Sequence, residues 1–274
     1  MYKLRLLSFT LSILMLTGSC KKALDYIVLN PTSTCDACKI KQINLSSTGG
    51  PVGEFDVSYD ARGNATSIIC VTPEPPFSYL WDPSSYYFRY DKNNRITDVL
   101  YVYRGNLGTV SWEQFTYKPH YIADTIWYYG AGGLITDKQP AKTNIGRASI
   151  ITLDKFDRIA KEVTDIFQNI EGTEKITETK TYNYDKNGNL IYGAAAYDDK
   201  INFYRTSRNW QMIYRNFSAN NILKGGPDYP EINITEYNQY GLPTKISCPG
   251  SAYLFGLASP NYEFVYDCDL SGIK

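Results

Sequence analysis

One short pattern recurs along this chain and limits what it can fold into. It reads Tyr59-Asp60-Ala61-Arg62-Gly63-Asn64, then Tyr90-Asp91-Lys92-Asn93-Asn94-Arg95-Ile96. It returns as Leu153-Asp154-Lys155-Phe156-Asp157-Arg158-Ile159 and as Tyr184-Asp185-Lys186-Asn187-Gly188-Asn189-Leu190. Tyr237-Asn238-Gln239-Tyr240-Gly241-Leu242 is a weaker copy, and Tyr266-Asp267 begins a truncated one. In each copy the first residue closes a strand, and the Asp or Asn turns its side chain onto backbone amides two residues on. A Gly or Asn four positions after the first residue is suited to positive φ. A hydrophobic residue then opens the returning strand. This is a β-hairpin with a loop of three to five residues. Asp185-Lys186-Asn187-Gly188-Asn189 also looks like the start of a calcium loop, but an EF-hand needs Gly at its sixth position and Glu at its twelfth. Leu190 and Ala196 stand there, so turn chemistry accounts for the run.

The flanking segments agree with strands. Tyr86, Phe88 and Tyr90 alternate, as do Val99, Tyr101 and Tyr103; Ile159, Val163 and Phe167 share parity, interrupted by Lys161 and Asp165. Residues 174–184 are β-branched and charged, which reads as a sheet surface open to water. The chain has 25 Tyr and is 15% aromatic, and Tyr favours strands and half-buried surfaces. The expected fold is mainly β: an antiparallel meander forming a twisted or open barrel-like sheet over residues 38–274, with one short helix near 206–218. Trp210, Ile213, Tyr214 and Phe217 mark that helix at i, i+3, i+4 and i+7. Thr206 or Ser207 would cap its start and Asn220-Asn221 would end it. Trp210 is either a ligand platform on an exposed insert or the core residue of a helix plugging one end of a curved sheet, and the plug is favoured.

The first residues carry a different signal. Lys3 and Arg5 precede an uncharged run from Leu6 to Leu16, followed by Thr17-Gly18-Ser19-Cys20. The run is too short for a stable membrane span and has the layout of a secretory signal over residues 1–19. Leu16-Thr17-Gly18-Ser19-Cys20 resembles the lipobox of bacterial lipoproteins, including the looser lipoboxes of Bacteroidota. The resemblance implies diacylglycerol on Cys20, cleavage before it, and a tether over 20–37. Several acyl chains hold a protein at a membrane where a single chain would not. A cell-envelope location at the outer membrane follows, with periplasmic or external facing open.

The hairpin turns resemble the YD repeats of the RHS family of bacterial surface and secreted proteins, with the Tyr-Asp-x-x-Gly core matched at 59, 184 and, with Asn for Asp, 237. Together with the lipobox and one helical insert, they also resemble uncharacterised Bacteroidota lipoproteins termed DUF4595, which implies a porin-like fold.

Chemistry is sparse. Net charge is zero with scattered basic residues, which argues against nucleic acid as partner. His120 is the only histidine and no Gly-x-Ser-x-Gly elbow accompanies it, so it reads as a loop residue rather than a catalytic base. Phosphate and dinucleotide loops are missing, and no cofactor or metal is expected. Beyond Cys20 there are Cys35, Cys38, Cys70, Cys248 and Cys268. Cys35-Asp36-Ala37-Cys38 has redox or zinc spacing but lacks a βαβ context or a second ligand pair, so structural sulfur is the better reading; the pairing stays open. Glycosidases need only two carboxylates at the right separation; Glu162 with Asp165 and Glu174 with Glu178 are candidates, although cross-strand ion pairing explains them equally. Pro73, Pro75, Pro76 and Pro83 frame Phe77, Tyr79 and Trp81 in a loop that either covers a sheet edge or grips a glycan or peptide by stacking. The expected function is a membrane-anchored, non-catalytic binding or scaffold domain, with a glycan or an envelope protein as partner and Trp81 and Trp210 as candidate ligand-binding residues. The rival is a carbohydrate-active hydrolase using a carboxylate pair.

Overall fold

The computed structural model describes residues 38–47, 50–72, 85–102, 109–128, 144–168, 174–191, 195–224 and 231–268. Cys20, Cys35 and Trp81 lie outside them, as does the aromatic loop around Trp81. Strands β1 (Cys38–Ser47), β2 (Gly50–Tyr59), β3 (Ala65–Cys70), β4 (Ser85–Tyr90) and β5 (Ile96–Val102) come first. They are followed by β6 (Thr109–Tyr117), β7 (Ile122–Tyr128), β8 (Asn144–Leu153), β9 (Ile159–Phe167) and β10 (Lys175–Thr181). After β11 (Ala196–Ile201) come a 3-10 turn at Phe203–Thr206 and helix α1 (Arg208–Ile213), then β12 (Asn220–Lys224), β13 (Asn233–Tyr237), β14 (Pro243–Leu254) and β15 (Leu257–Cys268). Thirteen strands form one antiparallel meander in the order β10-β9-β8-β7-β6-β5-β4-β3-β2-β1-β15-β14-β13, while β11 and β12 pair separately. The large sheet is not closed into a barrel.

Five turns share one geometry at one end of this sheet. The carboxylate or amide oxygen of Asp60, Asp91, Asp154, Asp185 or Asn238 accepts the backbone N–H two and four residues on. The residue at the fourth position after the first takes positive φ in every copy: Gly63 (85°), Asn94 (59°), Asp157 (57°), Gly188 (84°) and Gly241 (77°). In the third copy Asp157 does what Gly or Asn does elsewhere, its short polar side chain tolerating that region. The strand register slips at or just before Tyr59, Tyr90, Leu153 and Tyr237. Such bulges bend and twist a strand, so the repeat also helps to curl the sheet. The tyrosines have a second task. Tyr90, Tyr184 and Tyr266 donate their hydroxyls to the carbonyls of Ala65, Ile159 and Pro243, the first residues of β3, β9 and β14. Each therefore ties its own turn to the returning strand of a hairpin earlier in the chain, or for Tyr266 to the start of the neighbouring β14.

Asp60 and Asp91 have carboxyls held below the ordinary range. Slight desolvation raises them, but the Asn64 and Arg95 side chains and the turn amides outweigh it. Their contribution to stability is present above the ordinary Asp value and fades as pH falls through the lowered one. Gly188→Val is expected to destabilise by at least about 1 kcal/mol, because a β-branched residue fits φ 84° poorly. Gly188→Asn should be milder. Equal urea midpoints for wild type and Gly188→Val would remove the backbone constraint.

The concave face is filled from two directions. The segment from Asn202 to Ser218, containing α1, lies against it, and the β14–β15 turn brings Phe255 inward. Trp210 meets Phe88 and Phe255 edge-on at ring-centroid distances of 5.2 and 5.4 Å, and Phe203 stacks on Phe264 at 5.6 Å.

The helical segment is shorter than its sequence pattern suggests. Ser207 caps α1, accepting from the Asn209 amide, as expected. Its end is different: Arg215, at φ 54°, takes the left-handed conformation, and Asn220-Asn221 open β12. The side chain of Asn221 is used elsewhere, accepting from the Phe203 amide and donating to Asp198. It ties the exit of the segment to its entry, which a helix terminator could not do.

On β9 the parity reading needs correction. Glu162 pairs with buried Ile151, whereas Val163 pairs with exposed Ile150. Glu162 and Thr164 face inward, Ile166 shares their face but is exposed, and Val163 shares the other face with Lys161 and Asp165. β10 is exposed along its whole length, as its composition suggested.

A disulfide joins Cys38 to Cys268 across β1 and β15, while Cys70 and Cys248 are free. Cys38 therefore pairs with the far end of the chain and not with Cys35, and its sulfur is structural.

Candidate functional site

Two features of the concave side carry chemistry: a buried ionic cluster and an open cleft at the turn end. The cluster is built from adjacent strands. Glu113 on β6 and Asp124 on β7 are diagonal neighbours, Arg147 on β8 reaches both, and Glu162 stands on β9. Arg215, projecting from the end of the helical segment, closes it. Its Nη2 lies 2.6 Å from Asp124 Oδ2 and 3.6 Å from Glu113 Oε1, and its Nε lies 3.4 Å from Glu162 Oε1. Arg147 Nη2 lies 3.0 Å from Asp124 Oδ2 and 3.2 Å from Glu113 Oε1. Tyr101 donates to Glu113 and Tyr182 to Glu162. Arg215 also donates to the Met212 carbonyl, which fixes its guanidinium.

The environment separates these carboxyls. Glu162 is desolvated, but Arg215 and the Tyr182 hydroxyl outweigh that and hold it below its ordinary range. Asp124 is pushed up to about 7, first by burial and then by the charge of Glu113, with Arg215 and Arg147 pulling against them. A carboxyl near neutrality beside ionised partners suits proton transfer. Reaching it is the obstacle, because Asp124 has no exposed surface and Arg215 covers it.

The cleft, of about 740 Å³, opens where the β4–β5, β6–β7 and β8–β9 turns face α1. Asn93 and Arg95, Lys118 to Tyr121, and Asp154 and Asp157 form its walls, with Arg208 and Asn209 at its back. Arg95 lies over the Tyr117 ring at 4.2 Å, and Tyr121 is 39% exposed. Arg208 packs over Phe217 at 4.4 Å and donates to the Asp157 carbonyl. Its buried Nη1 has no partner among the described residues. The cleft thus offers an exposed aromatic surface, amides, and donors and acceptors of both charges, which suits a polar ring-bearing solute.

The structure redistributes the residues singled out in the sequence. Trp210 is 1% exposed in the core, so the indole presents no open face to a solute. Glu162 joins the ionic cluster, but Asp165 points to the opposite face and is held by Lys175 and Thr177, so the two do not form a catalytic pair. Glu178 is exposed on β10. His120 sits in the β6–β7 turn and lines the cleft. Glu113, Asp124, Arg147 and Arg215 were missed. For the three strand residues the one local signal is a charge at an inward position, as Glu113 between Ser111 and Phe115, visible only once the parity is known; Arg215, beyond α1, carries none. Among the described residues no group of three His, Cys, Asp or Glu could hold a metal ion, and no helix is long and apolar enough to cross a membrane.

No protein family and no curated protein matches the chain. Solved structures with partial likeness include a porin-like protein from Bacteroides vulgatus, 11% identical with a TM-score of 0.34, covering 82% of this chain and 97% of that one. A porin-like protein from Bacteroides uniformis is 10% identical with a TM-score of 0.30, covering 83% of this chain and 96% of that one.

Proposed function

We propose that this protein is a lipoprotein of the bacterial envelope, held at the outer membrane by diacylglycerol on Cys20, and that its curved sheet is a non-catalytic binding or scaffold domain. The observation that carries the non-catalytic reading is the commitment of the buried carboxylates. Glu113, Asp124 and Glu162 are all engaged by Arg147 or Arg215, so these three carboxylates do not form an acid–base pair facing a substrate. The cleft beside them needs no tuned acid and is open to a ligand. Its mixed polar and aromatic walls fit a glycan or an exposed segment of an envelope protein; Trp81, outside the described residues, is proposed separately as a stacking residue. Export is supported independently by the Cys38–Cys268 disulfide, a bond that persists in oxidising compartments. One observation favours the rival hydrolase: Asp124, raised to about 7, has the acidity of a general acid.

Two experiments test the proposal. In a bacterial host the wild type should incorporate radioactive palmitate and partition into detergent, and Cys20→Ala should do neither; persistent labelling of Cys20→Ala would remove the anchor. A panel of glycans and envelope peptides should bind weakly, Tyr121→Ala and Asn93→Ala reducing the affinity without turnover appearing. Steady hydrolysis abolished by Asp124→Asn would establish the hydrolase instead.

A further inference from the structure

The ionic cluster has one carboxylate more than it has guanidiniums. Glu113, Asp124 and Glu162 share Arg147 and Arg215. The Tyr101 hydroxyl serves Glu113 Oε2, and the Tyr182 hydroxyl serves Glu162 Oε2. Asp124 Oδ1 is different: it is buried and has no donor among the described residues. Glu113, on the neighbouring strand, shares one donor with Asp124: Arg147 Nη2 lies 3.2 Å from Glu113 Oε1 and 3.0 Å from Asp124 Oδ2. Two ionised carboxylates that share one donor away from water repel, and an acceptor without a donor bears its full desolvation cost. A single proton between them removes both penalties.

We propose that Glu113 and Asp124 share one buried proton, and that this proton balances the charge on which the Arg215 segment seats against the sheet. The other groups facing the pair do not supply the missing charge. Lys180 stands across from Glu162 on β10 and its charge acts on that carboxylate, but its ammonium lies over the Tyr182 ring, 5.0 Å from the centroid, and gives Asp124 Oδ1 no donor. Ser149 and Thr164, between Asp124 and β10, bond to each other at 2.9 Å. Tyr214 brings a partly buried ring and no charge. Arg147 is the most exposed member, at 35%, and marks the side from which water would enter once the proton leaves.

The direction of the pH response follows. Asp124 is raised in the folded protein above its ordinary value, so the stability it confers is full at acid pH and is lost as pH rises through about 7. Below about 4, where Asp is protonated in the unfolded chain as well, its contribution is constant. The lost proton leaves a surplus negative charge beneath α1, and the contacts of Arg215 with the sheet loosen.

The test uses the whole chain in detergent. Urea midpoints are measured at about pH 5.5 and pH 8.5, on either side of the Asp124 transition. The wild-type midpoint should fall across that interval. Asp124→Asn, which carries no charge and offers Glu113 an amide donor, should show a nearly flat profile. Infrared spectra should show a protonated-carboxyl band in the wild type at the lower pH, gone at the higher one and missing in Glu113→Gln or Asp124→Asn. The spectra of the wild type alone decide the matter if either variant fails to fold. An unprotonated wild type at the lower pH, or a folded Asp124→Asn with the wild-type pH slope, would overturn the proposal.

Discussion

Arg215→Met is expected to destabilise the protein by about 3–5 kcal/mol, the cost typical of leaving a buried charge unpaired. The Arg215 guanidinium touches Asp124, Glu113 and Glu162 together, and Met replaces its stem but none of its charge. Arg147 would remain as the one guanidinium facing three carboxylates. At about pH 8.5, where Asp124 is ionised, adding Asp124→Asn to Arg215→Met should recover part of the loss, because one buried charge disappears with its partner. Arg215→Lys should fall between: a point charge on a flexible stem cannot serve three carboxylates as a planar fork does. Urea or thermal denaturation of the four proteins decides it. An unchanged midpoint in Arg215→Met, or a double variant no more stable than the single one, would show that the cluster is not what holds the segment down.

Trp210→Ala is expected to cost about 3–5 kcal/mol through the cavity it leaves. The indole is 1% exposed and packs between Phe88 and Phe255, so its removal opens the contact between the helical segment, β4 and the β14–β15 turn at once. Trp210→Phe should keep much of the packing and be milder. A surface sugar platform would behave in the reverse way, losing ligand affinity while the midpoint held. A Trp210→Ala protein with wild-type stability and lost binding would therefore return that residue to the ligand site.

The hairpins were legible because their information is local. Asp185 reaches amides two and four residues away, and Gly188 needs only its own backbone freedom, so four or five residues contain the whole argument. The alternation of Tyr86 and Phe88 carried the same kind of signal for a strand, and both rings are buried. Parity failed on β9, where a register slip beside Leu153 shifts which residues face the core and brings Glu162 inward in place of Val163. The end of α1 was misplaced for a related reason. Asn220 and Asn221 have the composition of a helix stop, but their amides are recruited by Asn189, Asp198 and Phe203, residues that reach them only in the folded chain.

An antiparallel meander, the places of its turns and the apolar stripe that becomes the plug were all readable from the residues alone, because each depends on the conformational preferences of a few consecutive residues. The sequence also supplies the Cys20 signal on which the proposed anchor rests. Tertiary structure alone decided the pairing of Cys38 with Cys268 and the meeting of Glu113, Asp124, Arg147, Glu162 and Arg215 on one face. Those groups come from four strands and a turn, up to 102 positions apart (215 − 113). Their charges and acidities depend on through-space distance and on exclusion of water, quantities that do not exist until the sheet has curled around its plug.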